Sequence, residues 1–175
     1  PSKQNYAYYK PYIITDRNTI EAIYEATDGF GNGSTRILEQ TGKATRQNSQ
    51  TLANVLVAFV ADSEAMKNPD VRERNALESR ELGYEIEETR KQRLFSIGIA
   101  AGYLNLSSSL LGYSTGCCTC FEENKVRDII GADDEVMLLM GVGWKDETRS
   151  RREKHDEAEF VFPTFKKNLQ AVKIA

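Results

Sequence analysis

The sequence predicts an α+β protein with a central sheet flanked by helices, and three observations point there. Two apolar runs are continuous enough to lie inside a sheet covered on both faces: L-A-N-V-L-V-A-F-V-A at 52–61 and E-V-M-L-L-M-G-V at 135–142. Between them, apolar residues recur at the helical period over 94–111 and again over 124–130. No repeat, low-complexity tract or Pro/Ser-rich linker divides the 175 residues, so the chain reads as a single domain over 1–175.

Composition narrows the function classes. Hydrophobic residues make up 40% and charged residues 28%, which is the globular range, and the length suffices for one core. A net charge of -3 gives no broad basic field, so neither nucleic acid nor anionic lipid is an expected partner. No apolar run approaches the roughly 18 residues a membrane helix needs. The opening P-S-K-Q-N-Y-A-Y-Y-K is not a signal peptide, although a start at Pro1 leaves room for a removed leader. A cytoplasmic location is expected. Cys117, Cys118 and Cys120 lie too close together to staple distant parts of a fold, which fits a reducing compartment. A tetrahedral thiolate metal site needs a fourth ligand, and the one histidine, His155, sits in a charged stretch. No metal is expected.

In chain order, R-N-T-I-E-A-I-Y-E-A-T at 17–27 sets Ile20, Ile23 and Tyr24 at helical spacing, and G-F-G-N-G at 29–33 breaks it. Ser34 would cap a second short helix with Ile37 and Leu38 on its buried side. The first buried strand follows. Residues 64–93 alternate acids and bases and read as one or two solvated helices with pairs such as Glu87–Lys91. The central helix over 94–111 sets Ile97, Ala101, Leu104, Ser108 and Leu111 on one stripe; Gly98, Ala100, Gly102 and Ser107–Ser109 are small, and Gly112 ends it. Y-S-T-G-C-C-T-C-F reads as a loop, then Asn124–Ile130 as a short amphipathic helix closed by Gly131. After the second strand, a charged stretch leads to V-F-P-T-F, a late edge element or an arm toward a partner.

The stretch from Gly98 to Trp144 resembles the nitroreductase family, which shares a small-residue central helix, an L-G-(L/Y)-x-T loop, a V-R-x-(I/L)-(I/L)-G helix and a strand ending in G-x-G or G-x-P. A second likeness lies upstream over 44–62. Where the family often carries P-S-x-x-N-x-Q-P-W, this chain has A-T-R-Q-N-S-Q-T-L at 44–52, with Asn48 and Gln50 on the pattern's Asn and Gln and Thr45 at its Ser. The resemblance implies that the central sheet is mixed or antiparallel, and that the chain is a homodimer with flavin mononucleotide (FMN) at the subunit interface. It implies hydrogen bonds from Asn48 and Gln50 to the polar edge of the flavin ring, a task suited to an amide that both donates and accepts. The bare residues also fit a turn and strand cap ahead of Leu52. The loop Cys117–Cys120 would pass beside the reactive ring nitrogen, with Cys118, Thr119 and Cys120 along it and the Thr119 and Cys120 backbone as best matches.

The phosphate site departs from the family pattern. An R-x-S-x-R motif usually stands near the start, because guanidinium groups bind phosphate bidentately; here D-R-N-T-I offers Arg17 alone. The C-terminal half of that site matches Arg149, Arg151 and Arg152, which equally read as a solvated loop. Tyr103 stands at the family's central-helix Asn. No Ser/His/Asp set, nucleophile elbow, P-loop or dinucleotide fingerprint competes. The expected function is therefore an FMN-dependent oxidoreductase passing hydride from NAD(P)H to a small flat acceptor of nitroaromatic or quinone type. The alternative is a nitroreductase-like dimer that binds flavin weakly or not at all and serves as a non-catalytic binding or flavin-handling protein.

Overall fold

Val55–Ala61 is an inner strand, β2, because Leu56, Val57, Ala58, Phe59, Val60 and Ala61 are all buried and need cover on both faces. The computed structural model describes residues 1–2, 7–27, 48–65 and 85–145, and every element of it falls in one compact unit, Pro1–Lys145. Before β2 come β1 (Tyr9–Ile14) and α1 (Arg17–Glu25); after it come α2 (Glu85–Leu110), β3 (Ser114–Cys118), α3 (Glu123–Ile130) and β4 (Val136–Gly143). The four strands form one sheet in the order β1-β2-β4-β3, antiparallel at each pairing.

Alternation along β2 builds two cores. Leu56, Ala58 and Val60 join Ile14, Ile20, Ile23, Val126 and Leu139 on the face covered by α1 and α3. Val57 and Phe59 join Ile97, Ala100, Ala101 and Met140 on the face covered by α2. The register slips once, between Phe59 and Val60, so that Met137 is an extra residue in β4. That bulge explains how Met137 and Leu138, neighbours in sequence, both pack toward the α2 side.

Helix ends follow local chemistry. Asp16 caps α1, its Oδ2 accepting from Thr19 N at 2.8 Å. Gly112 at φ 85° turns the chain after α2, with Tyr113 N donating to Ser108 O at 2.8 Å and Gly112 N to Ser109 O at 3.1 Å. Gly131, at φ 63°, does the same after α3.

Several expectations need correction. The segment read as a loop contains β3, a small-residue strand paired along β4 from Ser114 opposite Gly143 to Cys118 opposite Leu139. The edge strand β1 was not anticipated at all. The charged segment and the small-residue helix are not separate at 94: α2 runs unbroken from Glu85, since charged residues are good helix formers and solvation does not interrupt the period. Leu111 is exposed because the buried stripe ends at Ser108, one turn before Gly112 redirects the chain. β2 starts at Val55 rather than Leu52, and β4 is shifted one residue on, to Val136–Gly143. The G-F-G-N-G break, the Ser34 helix, residues 66–84, Arg149, Arg151, Arg152, His155 and V-F-P-T-F lie outside the described residues.

Candidate functional site

Three segments meet where α1 ends, and Thr27 joins them. Its hydroxyl donates to Tyr24 O at 2.7 Å and accepts from Asn48 N at 2.7 Å, while its backbone bridges Phe121. Glu122 N donates to Ala26 O at 2.9 Å beside it. The turn carrying Asn48 and the loop carrying Cys120 are thus held against the same helix end.

Asn48 organises the turn. Its carbonyl accepts from Thr51 N at 3.1 Å and Thr51 Oγ1 at 2.9 Å, winding Ser49–Thr51 into a short 3-10 turn. Its Oδ1 accepts from Gln50 N at 3.1 Å, and its Nδ2 points at Cys120 Sγ (3.4 Å) and Gln50 Oε1 (3.5 Å). With the residue only 7% exposed, this amide is committed to tying the turn to the loop. Donor capacity toward a ligand therefore falls to Gln50, which is half-buried and whose Nε2 has no partner among the described residues.

Glycines let the turn lie flat on the sheet. A Cβ at Gly116 of β3 would meet Gln50 Cβ and Cγ at 3.0 Å. One at Gly141 of β4 would collide with the Gln50 carbonyl oxygen and sit 2.9 Å from Ala53 Cβ. Farther along, Asn54 Oδ1 accepts from Trp144 N at 3.1 Å, and the Trp144 ring packs on Tyr113 at 4.6 Å. Arg17 reaches the same turn from the start of α1, its Nη1 donating to Leu52 O at 3.3 Å while its Nε pairs with Glu21 at 2.8 Å.

On the loop side, Cys118 Sγ lies 3.4 Å from Cys120 Sγ and 3.6 Å from Cys120 O. Burial pushes the Cys118 thiol up to about 12, and the adjoining Cys120 sulfur adds to the shift. Desolvation raises the Cys117 thiol as well. Among the described residues no acceptor meets the backbone N–H of Thr119 or Cys120. The turn and loop thus offer a half-buried amide and two N–H groups with no acceptor among the described residues, which suits a ligand with acceptors on its edge.

The structure brings Asn48, Gln50, Cys118, Thr119 and Cys120 together and sets Arg17 at the far end of their turn; Arg149 and Arg151 lie outside the described residues. Sequence reasoning missed Thr27, Gly116, Gly141 and Asn54. Only the glycines carried a signal, being isolated glycines inside strand-forming segments, a mark of close backbone approach.

Residues 1–144 match the family model for the nitroreductase family. The chain belongs to the nitroreductase family. Its fold is the nitroreductase fold, shared with solved structures at low sequence identity. A nitroreductase family protein from Streptococcus pneumoniae TIGR4 aligns at 18% identity and TM-score 0.59, over 86% of this chain and 76% of that one. A protein from Exiguobacterium sibiricum 255-15, described as a nitroreductase in complex with FMN, aligns at 15% identity and TM-score 0.58, over 86% and 73%. A Staphylococcus epidermidis protein described as an NAD(P)H:FMN oxidoreductase aligns at 18% identity and TM-score 0.57, over 92% and 79%. Among curated proteins, none matches this chain in sequence. No helix among the described residues is long and apolar enough to cross a membrane.

Proposed function

We propose that this chain is an FMN-dependent oxidoreductase that passes hydride from NAD(P)H to a small flat acceptor of nitroaromatic or quinone type. The observation that carries the reading is that Asn48 ties the turn of Gln50 to the loop of Thr119 and Cys120, in a chain of the nitroreductase family. Bound flavin would supply the hydride chemistry. The residues supply the rest. Gln50 would hydrogen-bond the polar edge of the ring, and Asn48 fixes both Gln50 and the Cys120 loop in place. The Thr119 and Cys120 N–H groups are fixed dipoles that favour negative charge beside them, a contribution a preorganised site makes without rearranging. Arg17, Arg149 and Arg151 are the proposed phosphate ligands, by their guanidinium geometry.

The assembly is a homodimer of a single domain over 1–175, acting in the cytoplasm. Support for the dimer comes from the solvent face of α2. Phe95, Ile99, Tyr103, Leu106 and Leu110 follow one another at helical spacing and are exposed, Leu110 at 79%, beside the open Gly98 and Gly102. Among the described residues nothing covers this apolar stripe. Support for the cytoplasm is that the three cysteines lie within four residues, too close to staple distant parts of a fold.

A second reading, a flavin-handling protein without turnover, draws on Arg17 being tied to Glu21 and Leu52 rather than open to an anion. Anaerobic mixing of purified protein with NADH or NADPH, followed by a nitroaromatic or a quinone, separates the two. Bleaching of flavin absorbance by the nucleotide and its return on adding acceptor supports the enzyme; flavin absorbance unmoved by either nucleotide overturns it.

A further inference from the structure

Cys118 and Cys120 stand at the end of β3 with their sulfurs 3.4 Å apart, in unlike surroundings. Cys118 is 2% exposed, and burial keeps its proton on. Cys120 is half-buried, and Asn48 Nδ2 donates toward its sulfur at 3.4 Å. Cys117 is exposed and has no sulfur contact among the described residues; strand alternation turns it to the opposite face. A thiol with solvent access and an N–H donor is the one that attacks, and a shielded thiol in contact with it is the one that resolves.

We propose that Cys118 and Cys120 form a dithiol site that exchanges with low-molecular-weight disulfides and closes to a reversible intramolecular disulfide. Cys120, as thiolate, attacks one sulfur of the external disulfide. That S–S bond breaks, one thiolate leaves and takes up a proton, and Cys120 carries a mixed disulfide. Cys118 gives its proton to solvent, attacks the Cys120 sulfur and expels the second external thiolate. Two cysteine thiols are oxidised and one external disulfide is reduced to two thiols, so no further oxidant is needed. Closure requires the sulfurs to approach to about 2.05 Å. Residues two apart in an extended strand have Cα atoms roughly 6.6 Å apart, within the span a disulfide bridges. Thr119 lies beyond the end of β3, outside its ladder, and can take up the adjustment. Closing the bond draws Cys120 from Asn48, which also holds Gln50 N, so the thiol state reaches the turn of the candidate site. The inference stands without bound flavin.

The test incubates the reduced full-length protein with oxidised glutathione, then alkylates under denaturing conditions and sequences the fragments of tryptic peptide 94–125, which holds all three cysteines. The expected result is alkylation at Cys117 only, with the peptide lighter by two hydrogens and restored by dithiothreitol. Cys118→Ser should stop at a glutathione mixed disulfide on Cys120, and Cys120→Ser should take up none at Cys118. Three alkylated cysteines in the treated parent, a disulfide through Cys117, or a parent that stops at the same mixed disulfide as Cys118→Ser would each overturn the proposal.

Discussion

Gly141→Ala probes the site through one methyl group. That methyl would collide with the Gln50 carbonyl oxygen and stand 2.9 Å from Ala53 Cβ, both on the turn that carries the candidate ligand. β4 cannot retreat, because it pairs with β2 on one side and β3 on the other. The turn must lift instead, which strains its bonds to Thr27 and Cys120. Overpacking of this kind costs about 1–3 kcal/mol, and a domain of this length loses roughly 2–4 °C of Tm per kcal/mol. Thermal unfolding by circular dichroism should therefore show a fall of about 2–12 °C. FMN titration on the same variant should show affinity weakened at least about tenfold, the equivalent of 1.4 kcal/mol. Gly116→Ala is the graded comparison, since its methyl meets the Gln50 side chain rather than a backbone oxygen. It should melt closer to the parent while still disturbing Gln50 and weakening FMN. A Gly141→Ala protein that melts and binds FMN like the parent would refute the reasoning.

Three further outcomes are expected. Leu106→Arg, on the exposed stripe of α2, should convert a dimer to a monomer in sedimentation without loss of helical signal; a dimer that persists would move the interface elsewhere. Arg149→Ala and Arg151→Ala should each weaken FMN binding roughly 10- to 150-fold, the range for a lost charge-assisted contact of 1.5–3 kcal/mol, and unchanged affinity would shift the phosphate role to Arg17. Asp134 sits below the usual carboxylate range: burial raises it, but the Ser63 N–H and hydroxyl bonds and the Arg93 charge together outweigh that. Its stabilising effect is therefore present above the unfolded value of about 3.9 and lost as pH falls through the folded value. Asp134→Asn should unfold earlier in urea than the parent near pH 7, with the gap narrowing as pH falls below about 3.9; a gap that does not narrow would exclude Asp134 as the titrating group.

How much of this was legible in the sequence depended on whether a segment's composition served the fold or the site. β2, β4, α1 and α3 serve the core, and continuous apolar runs announced the strands as helical spacing announced the helices. β3 did not, because S-T-G-C-C is shaped by what lies on it: Gly116 must leave room for Gln50, so the strand reads as a loop. β1 escaped for a different reason. It is an edge strand with one neighbour, where Pro11 is tolerated and Lys10 and Ile13 face outward, so neither alternation nor β-propensity stands out. The Asn-x-Gln turn was found by its resemblance to the family, but the division of labour within it was not. That Asn48 is a strut and Gln50 the half-buried amide left to donate follows from contacts to Thr27 and Cys120, 21 and 72 residues away, which no local pattern encodes. The contact between Cys118 and Cys120 is likewise a property the spacing alone did not give.

The most direct test of the account is to purify the full chain without added cofactor, release whatever small molecule it carries by denaturation, and identify it by chromatography and mass. The expected result is flavin mononucleotide approaching one per chain, or, where the preparation is colourless, stoichiometric uptake of added FMN that Gln50→Ala weakens. A protein that carries no flavin and takes up none when saturating FMN is supplied would contradict the central claim.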